Sequence, residues 1–437
     1  MRRLTLVEYQ TYSNVPLSGL ERDTLQRMVP EMAIAPSSTE REDGKQRTFR
    51  RSGRARYDLT PGSWIGAVQI GGLAVEIRPK LPIDRVLFLL SYSLDKIDWL
   101  EGDFAYGEAS SLVEAMSLVF AGQVRRTIKR GLLQRYRSTE ASLPAVRGRL
   151  RFDAQLRQRL GRYPPVEVRH DDLTEDVEEN RLLKTALCHL LQLPLGSPVA
   201  VRRLRELERS VNHVSQIHPA HLPEIHYTAS NEHYRPAIEL AELILRSSSV
   251  ELKHGQSPAG ALLLDMNNVF ETFVVVALRR ALGLSEHDFP QGLGVPASNG
   301  IGARRLSLDE ADLVGLKPDL SWWEAARCRF VGDVKYRRVG AAGIDHPDLY
   351  QLLAYAIAAG LPGGLLVYAA GEAEPVTHVV ARANKELHVA ALDLAGSPAD
   401  ILRQVDALAG CVRRLRASAR RHDRFRPAIV LTQKEEP

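Results

Sequence analysis

Cysteine is scarce in this chain. Cys188, Cys328 and Cys411 are the three in 437 residues, and none forms a CxxC pair. That spacing excludes a zinc ribbon, an iron–sulfur cluster and a disulfide framework, and it fits a reducing compartment. Long hydrophobic runs are missing too. The start, MRRLTLVEYQTYSNVP, is basic but has no apolar stretch long enough for a signal peptide, and no later segment approaches about 18 uncharged apolar residues. A cytoplasmic protein with no membrane partner is expected. The chain contains no GxxxxGK[ST] loop and no Rossmann glycine fingerprint, so nucleotide-driven movement has to come from another chain. A large excess of one charge is absent as well: 58 basic and 53 acidic residues leave a net of +5. That balance is too mild to argue for a polyanionic partner without local evidence.

What is present is ordinary globular material, 44% hydrophobic and 25% charged, with a mean hydropathy of -0.19. The length implies two or three domains. Residues 1–85 read as a β-rich region closing in WIGAVQI, Gly71-Gly72 and LAVEIRPKLP, alternating runs around a Gly-Gly turn. Within it lies a polar loop whose half from Arg47 to Arg56 is strongly basic. Residues 86–260 have helical apolar spacing, as in SLVEAMSLVFAGQVRRTIKRGLL and TEDVEENRLLKTALCHLLQL, with Thr174 as a candidate N-cap and LPAVRGRLRF as a short extended segment. Residues 261–437 read as helix, two strands, helix, strand, then a hairpin and a last helix that ends in a basic turn.

The chemistry concentrates in this last region. Pro318-Asp319 is followed fourteen positions later by Asp333-Val334-Lys335. If the two runs are neighbouring antiparallel strands turning near Glu324 to Arg327, both carboxylates reach one edge of a small sheet. Period-two alternation puts Asp333 and Lys335 on one face and Val334 on the other. Phosphodiester hydrolysis needs such an assembly: oxygens hold a hard divalent cation, which polarises the phosphoryl group and lowers the pKa of the attacking water. Asp319 and Asp333 are the candidate metal ligands, the Val334 carbonyl a further one, and Lys335 the cation that orients water.

Glu271 offers a third acid. It shares an apolar helical stripe with Val274, Val275 and Leu278, where an unpaired carboxylate is costly unless a metal or an arginine meets it, or it snorkels to the helix edge. Asp348, Gln351 and Tyr355 fall at i, i+3 and i+7 on the helix after the lysine strand. They can bond DNA phosphates, hold the acids and lysine in place, or form a solvated face.

The order of these elements, an acid on a helix, a PD strand, a DxK strand and a QxxxY helix, resembles the PD-(D/E)xK nuclease superfamily and its RecB-like branches. With IGAVQIGGLAVEIRPKL, RGRLRF, TEDVEENRLLK, NNVFETFV, KPDL, GDVKY and DLYQLLAYA, the chain resembles the McrC family, the nuclease subunits of McrBC-type modification-dependent restriction systems, over most of residues 60–370. The resemblance implies an α/β multidomain protein: a β-rich N-terminal domain, a helical middle and a C-terminal restriction-endonuclease-like domain with a mixed sheet. It implies a Mg2+-dependent endonuclease using one or two ions, with Mn2+ as a substitute, in which Glu271, Asp319, Asp333 and Lys335 act with support from Gln351, Tyr355 and Asp348. It also implies a hexameric AAA+ GTPase of the McrB type as partner, and modified double-stranded DNA as substrate. Arg47, Arg50, Arg51, Arg54 and Arg56 are the candidate contacts to that partner or to DNA, unless they are simply a solvated loop. An autonomous RecB-like or Cas4-like exonuclease and a non-catalytic ring adaptor are the competing readings; the scattered cysteines count against the Cas4-like form.

Overall fold

The computed structural model describes residues 2–37, 54–93, 111–160, 162–219, 221–251, 259–291, 306–337, 346–369 and 376–424. Among them, ten α-helices accompany strands in five sheets. The chain splits into two compact units, Met1–Arg78 with Lys96–Leu264 and Pro79–Asp95 with Asp265–Pro437. The three regions read from sequence, bounded at 85 and 260, are therefore grouped differently.

The first unit is built on a sheet ordered Arg2–Val7, Leu73–Arg78, Trp64–Ile70, Ala259–Asp265, Ser248–Glu251. Its central hairpin turns at Gly71-Gly72 as the alternation predicts, with Gly71 at φ 52. The Ala259–Asp265 strand joins because Gly66 permits it: a Cβ there would meet the Leu262 carbonyl oxygen at 2.0 Å. This pairing draws the end of the helical middle into the N-terminal unit. A second sheet of Tyr12–Leu17, Ala55–Thr60 and Ala33–Pro36 shares a core with the first through Leu6, Leu17, Leu59, Val68 and Val75. The helix Gly19–Met28 closes that core with Leu25 and Met28, after starting in a capping box between Ser18 and Glu21.

Helices Leu112–Ile128, Glu178–Leu191, Pro198–Ser210 and Arg235–Arg246 fill the middle. Thr174 does not cap the second of these. Val177 holds the N-cap position, and the Thr174 hydroxyl accepts from the Asp176 amide at 3.0 Å, so Thr174 closes the turn before the helix instead. The larger departure is residues 135–174. Arg135–Leu143 pairs antiparallel with Val166–Thr174 along its whole length, Arg149–Leu150 adds a third strand, and Phe152–Arg159 forms a short helix. The short extended segment expected there is part of this sheet-and-helix arm.

The second unit carries a mixed sheet ordered Leu320–Glu324, Arg327–Lys335, Gly363–Ala369, Lys385–Leu392, Val376–Val380. The two outer pairs are antiparallel and the two inner pairs parallel. Helix Met266–Leu282 begins on Asp265, whose side chain accepts from the Asn267 amide, and ends on Gly283 in the left-handed region. Helix Ile83–Ser93 belongs to this unit because Phe88 and Tyr92 set their rings 5.7 and 5.0 Å from Phe273. Helices His346–Ala358 and Pro398–Arg424 complete it. No described helix is long and apolar enough to cross a membrane.

Candidate active site

The PD and DxK runs are adjacent antiparallel strands, with Leu320 opposite Gly332 and Glu324 opposite Arg327. Gly332 is needed at this point: a Cβ would lie 2.6 Å from the Leu365 carbonyl oxygen of the next strand. The close approach seats Asp333 deep in the sheet at 1% exposure. Asp319, just ahead of its strand, accepts from the Val334 amide at 2.8 Å, which locks the PD segment to the DxK strand. Lys335 Nζ lies 2.6 Å from Asp333 Oδ2, so alternation does place those two side chains on one face. Asp333 Oδ2 is buried, with the lysine ammonium as its near neighbour.

Charge is crowded here. Burial first, then the charges of Asp333 and Glu271, push the Asp319 carboxyl from its ordinary 3.8 up to about 8, against the opposing bond from the Val334 amide. Burial and the neighbouring negative charges thus favour the protonated form of Asp319. Glu271 is half-buried on its helix, and its carboxyl is raised by burial and then by Asp333. Burial alone would lower the Lys335 ammonium, but its bond to Asp333 and the charges of Asp333, Asp319 and Asp348 outweigh it and hold the group above its ordinary value. Three acids thus act on one another with one lysine among them. Among the described residues, no three His, Cys, Asp or Glu side chains come together in a group that could hold a metal ion. A hard ion such as Mg2+ does not require three such side chains, since it uses one or two carboxylates and keeps waters. The buried Asp333 carboxylate, and beside it an Asp319 carboxyl raised by burial and by its negative neighbours, fit such an ion.

The QxxxY helix supports the PD segment. Gln351 Nε2 donates to the Tyr355 hydroxyl at 2.7 Å, and that hydroxyl donates to the Lys317 carbonyl at 3.1 Å, two residues before Asp319. Tyr355 is buried, and burial followed by the charge of Asp333 pushes its hydroxyl up to about 12. Asp348 is placed otherwise than as a DNA-facing group. It is buried, accepts from the Tyr368 hydroxyl at 2.6 Å and pairs with Arg337, because the helix turns that residue into the sheet. Arg337 and Tyr368 escaped the sequence reading, although a tyrosine inside a fully buried strand signals a partner for its hydroxyl.

Of the basic loop, Arg47, Arg50 and Arg51 lie outside the described residues. Arg54 stands 3.6 Å from Glu21, and Arg56 donates to the Asn14 carbonyl at 3.2 Å, so both have partners within the chain.

Residues 59–369 match the family described as McrBC 5-methylcytosine restriction system component. The chain belongs to this family. The type IV methyl-directed restriction enzyme EcoKMcrBC of Escherichia coli (strain K12) is 22% identical over 312 residues, which cover 67% of this chain and 86% of that protein. A chain of a refined half-complex, from a tetradecameric assembly of Thermococcus gammatolerans McrB AAA+ hexamers with bound McrC, shares the fold at a TM-score of 0.59 and 18% identity. That match covers 93% of this McrBC-family chain and all of the other. A chain of the cryo-EM structure of the Thermococcus gammatolerans McrBC complex matches at 0.44, with 19% identity, over 64% of this chain and 88% of the other. The McrBC-family match spans both units and ends at the close of the Gly363–Ala369 strand, so every acid of the site and the Gln351–Tyr355 pair fall inside it.

Proposed function

We propose that this chain is the DNA-cleaving subunit of a modification-dependent restriction system. In this reading it hydrolyses phosphodiester bonds at the Asp319–Asp333–Lys335 site. The observation that carries the reading is the buried Asp333 carboxylate with Lys335 Nζ 2.6 Å away and Asp319 tied to the same strand through the Val334 amide, in a chain of the McrBC family. A divalent cation, Mg2+ or Mn2+, would be held by Asp319 and Asp333, with Glu271 and the Val334 carbonyl as further ligands, and would supply polarisation of the phosphoryl group. Lys335 orients the attacking water and offsets charge on the phosphorus. Gln351 and Tyr355 fix the approach of the PD segment, and the Arg337–Asp348–Tyr368 cluster ties the end of the lysine strand to the neighbouring helix and strand.

The partner in this reading is a hexameric AAA+ GTPase of the McrB type, supported by the likeness to a chain from an assembly of such hexamers with bound McrC. The chain itself has no phosphate-binding loop, so the energy of translocation comes from that ring. The surface that suits docking is the arm of residues 135–174 rather than the basic loop. Phe152, Leu156 and Leu160, spaced four apart on and just beyond its short helix, are 69%, 62% and 83% exposed.

The test is a reconstitution of the purified chain with its GTPase, GTP, Mg2+ and methylated or unmethylated DNA, beside the Asp333→Ala variant. The variant is expected to lose at least the roughly 100-fold that loss of an outer-shell partner costs. Cleavage unaffected by the substitution sinks the catalytic assignment. Equal cleavage without the ring favours an autonomous nuclease, and GTPase stimulation with no cutting by either form favours an adaptor.

A further inference from the structure

At the opposite end of the catalytic hairpin from Asp319, three guanidinium groups converge on one carboxylate. Glu324 Oε1 accepts from Arg416 Nε at 2.6 Å and from Arg420 Nη2 at 2.7 Å. Glu324 Oε2 accepts from Arg420 Nε at 3.0 Å and lies 3.4 Å from Arg329 Nε. Arg416 also stacks on the buried Trp322 ring, with its guanidinium carbon 4.3 Å from the centre. The one negative charge of Glu324 does not neutralise Arg416 and Arg420 together. The surplus is held in fixed planar forks, which lose little freedom on binding an anion.

The cluster is one part of a larger basic face. Residues 413–424 hold six arginines and one aspartate, and Arg413, Arg416 and Arg420 repeat at i, i+3 and i+7 of the last helix. Arg413, Arg414, Arg420 and Arg421 are exposed, and the Arg416 and Arg420 side chains keep 29% and 52% of their surface. Glu324 is five residues along the strand from Asp319. At about 3.3 Å per residue that is roughly 17 Å, or about five base pairs of duplex.

We propose that the arginine face of the last helix, with the Glu324 cluster at its centre, grips the DNA backbone a few base pairs from the cut. The inference rests on the nuclease reading and deepens it. Phosphate, not base, is what these forks recognise, so the grip is independent of sequence.

The experiment measures binding alone: fluorescence anisotropy of a labelled duplex with the full-length chain in EDTA, over a series of salt concentrations. The Arg420→Ala/Arg421→Ala variant is expected to bind roughly tenfold more weakly at low salt. Its slope of log affinity against log salt should shrink by about 0.9 for each arginine removed. Arg420→Lys/Arg421→Lys keeps the charge and should recover most of that slope. Affinity and slope unchanged in the alanine variant, while melting at the wild-type temperature, overturn the proposal. So does a wild-type chain that binds no duplex at low salt. Because nothing is cleaved in EDTA, the outcome is separate from the Asp333→Ala test of the nuclease reading.

Discussion

Asp319 is an acid held against its preference. With a folded value of about 8 against an ordinary 3.8, it binds a proton in the folded chain that it has lost in the unfolded one. Below about pH 4 both states are protonated and Asp319 contributes nothing to pH dependence. As the pH rises towards 8 the unfolded state releases its proton first, so stability of the second unit falls across that window. Above it the full cost of the ionised, crowded carboxylate remains. Thermal melts in EDTA from pH 5 to 8 should show the decline, and Asp319→Asn should flatten it. Mg2+ competes with that proton, so the melting temperature gained on adding it should grow from pH 6 to pH 8 and vanish in Asp333→Asn. An equal gain at every pH contradicts Asp319 as a ligand. At this scale much was legible in the sequence: alternation alone puts Asp333 and Lys335 on one face. Asp348 was not, because i, i+3, i+7 spacing tells which residues share a face, not whether that face is wet. Its partner Tyr368 is twenty residues away, on a strand that the helix spacing does not reveal.

The hairpin and the QxxxY helix act as elements through two contacts that leave little slack. In Gly332→Ala the new methyl meets the Leu365 carbonyl, so the central strands must part. Overpacking of this kind costs about 1–3 kcal/mol, and the shift moves Asp333 as well. A lowered melting temperature together with lost cleavage is the expected pair of results, and a variant that melts like wild type refutes the account of this glycine. Tyr355→Phe removes the hydroxyl between Gln351 and the Lys317 carbonyl, at about 1 kcal/mol of stability. Since the hydroxyl positions the PD segment, turnover should fall while duplex affinity in EDTA stays unchanged; weakened binding would instead mark Tyr355 as a DNA contact. The helix–strand–strand–helix–strand order of this unit was readable because its helices keep helical apolar spacing and the Gly363–Ala369 strand is a short apolar run buried throughout. The arm of residues 135–174 was not. Tyr136 is 76% exposed, and most of the Arg135–Leu143 strand lies open, so no apolar alternation marks it as β. Its strands are fixed by pairing across more than twenty intervening residues rather than by a buried stripe.

For the whole molecule, the proposed ring partner has two candidate docking surfaces, and they differ in chemistry. The basic loop offers charge, but Arg54 and Arg56 are already engaged with Glu21 and the Asn14 carbonyl. The arm offers apolar side chains that are largely exposed. Many of its arginines are neutralised locally: Arg147 by Asp172 at 2.8 Å, Arg151 by Glu140 at 2.8 Å and Arg159 by Glu167 at 3.2 Å. What remains on its short helix is an apolar stripe, costly in water and suited to a protein groove rather than to phosphate. Leu156→Asp and Leu160→Asp should therefore leave the melting temperature nearly unchanged, as surface substitutions shift stability by about 0.5 kcal/mol or less. In the same variants, stimulation of the partner GTPase and ring-dependent cleavage should fall about tenfold or more per anchor, the usual cost of removing an interface hot spot. Arg54→Ala/Arg56→Ala should retain both. If the arginine variant loses stimulation and the leucine variants keep it, docking belongs to the basic loop. That inversion would leave the exposed leucines of the arm without a role in this assembly.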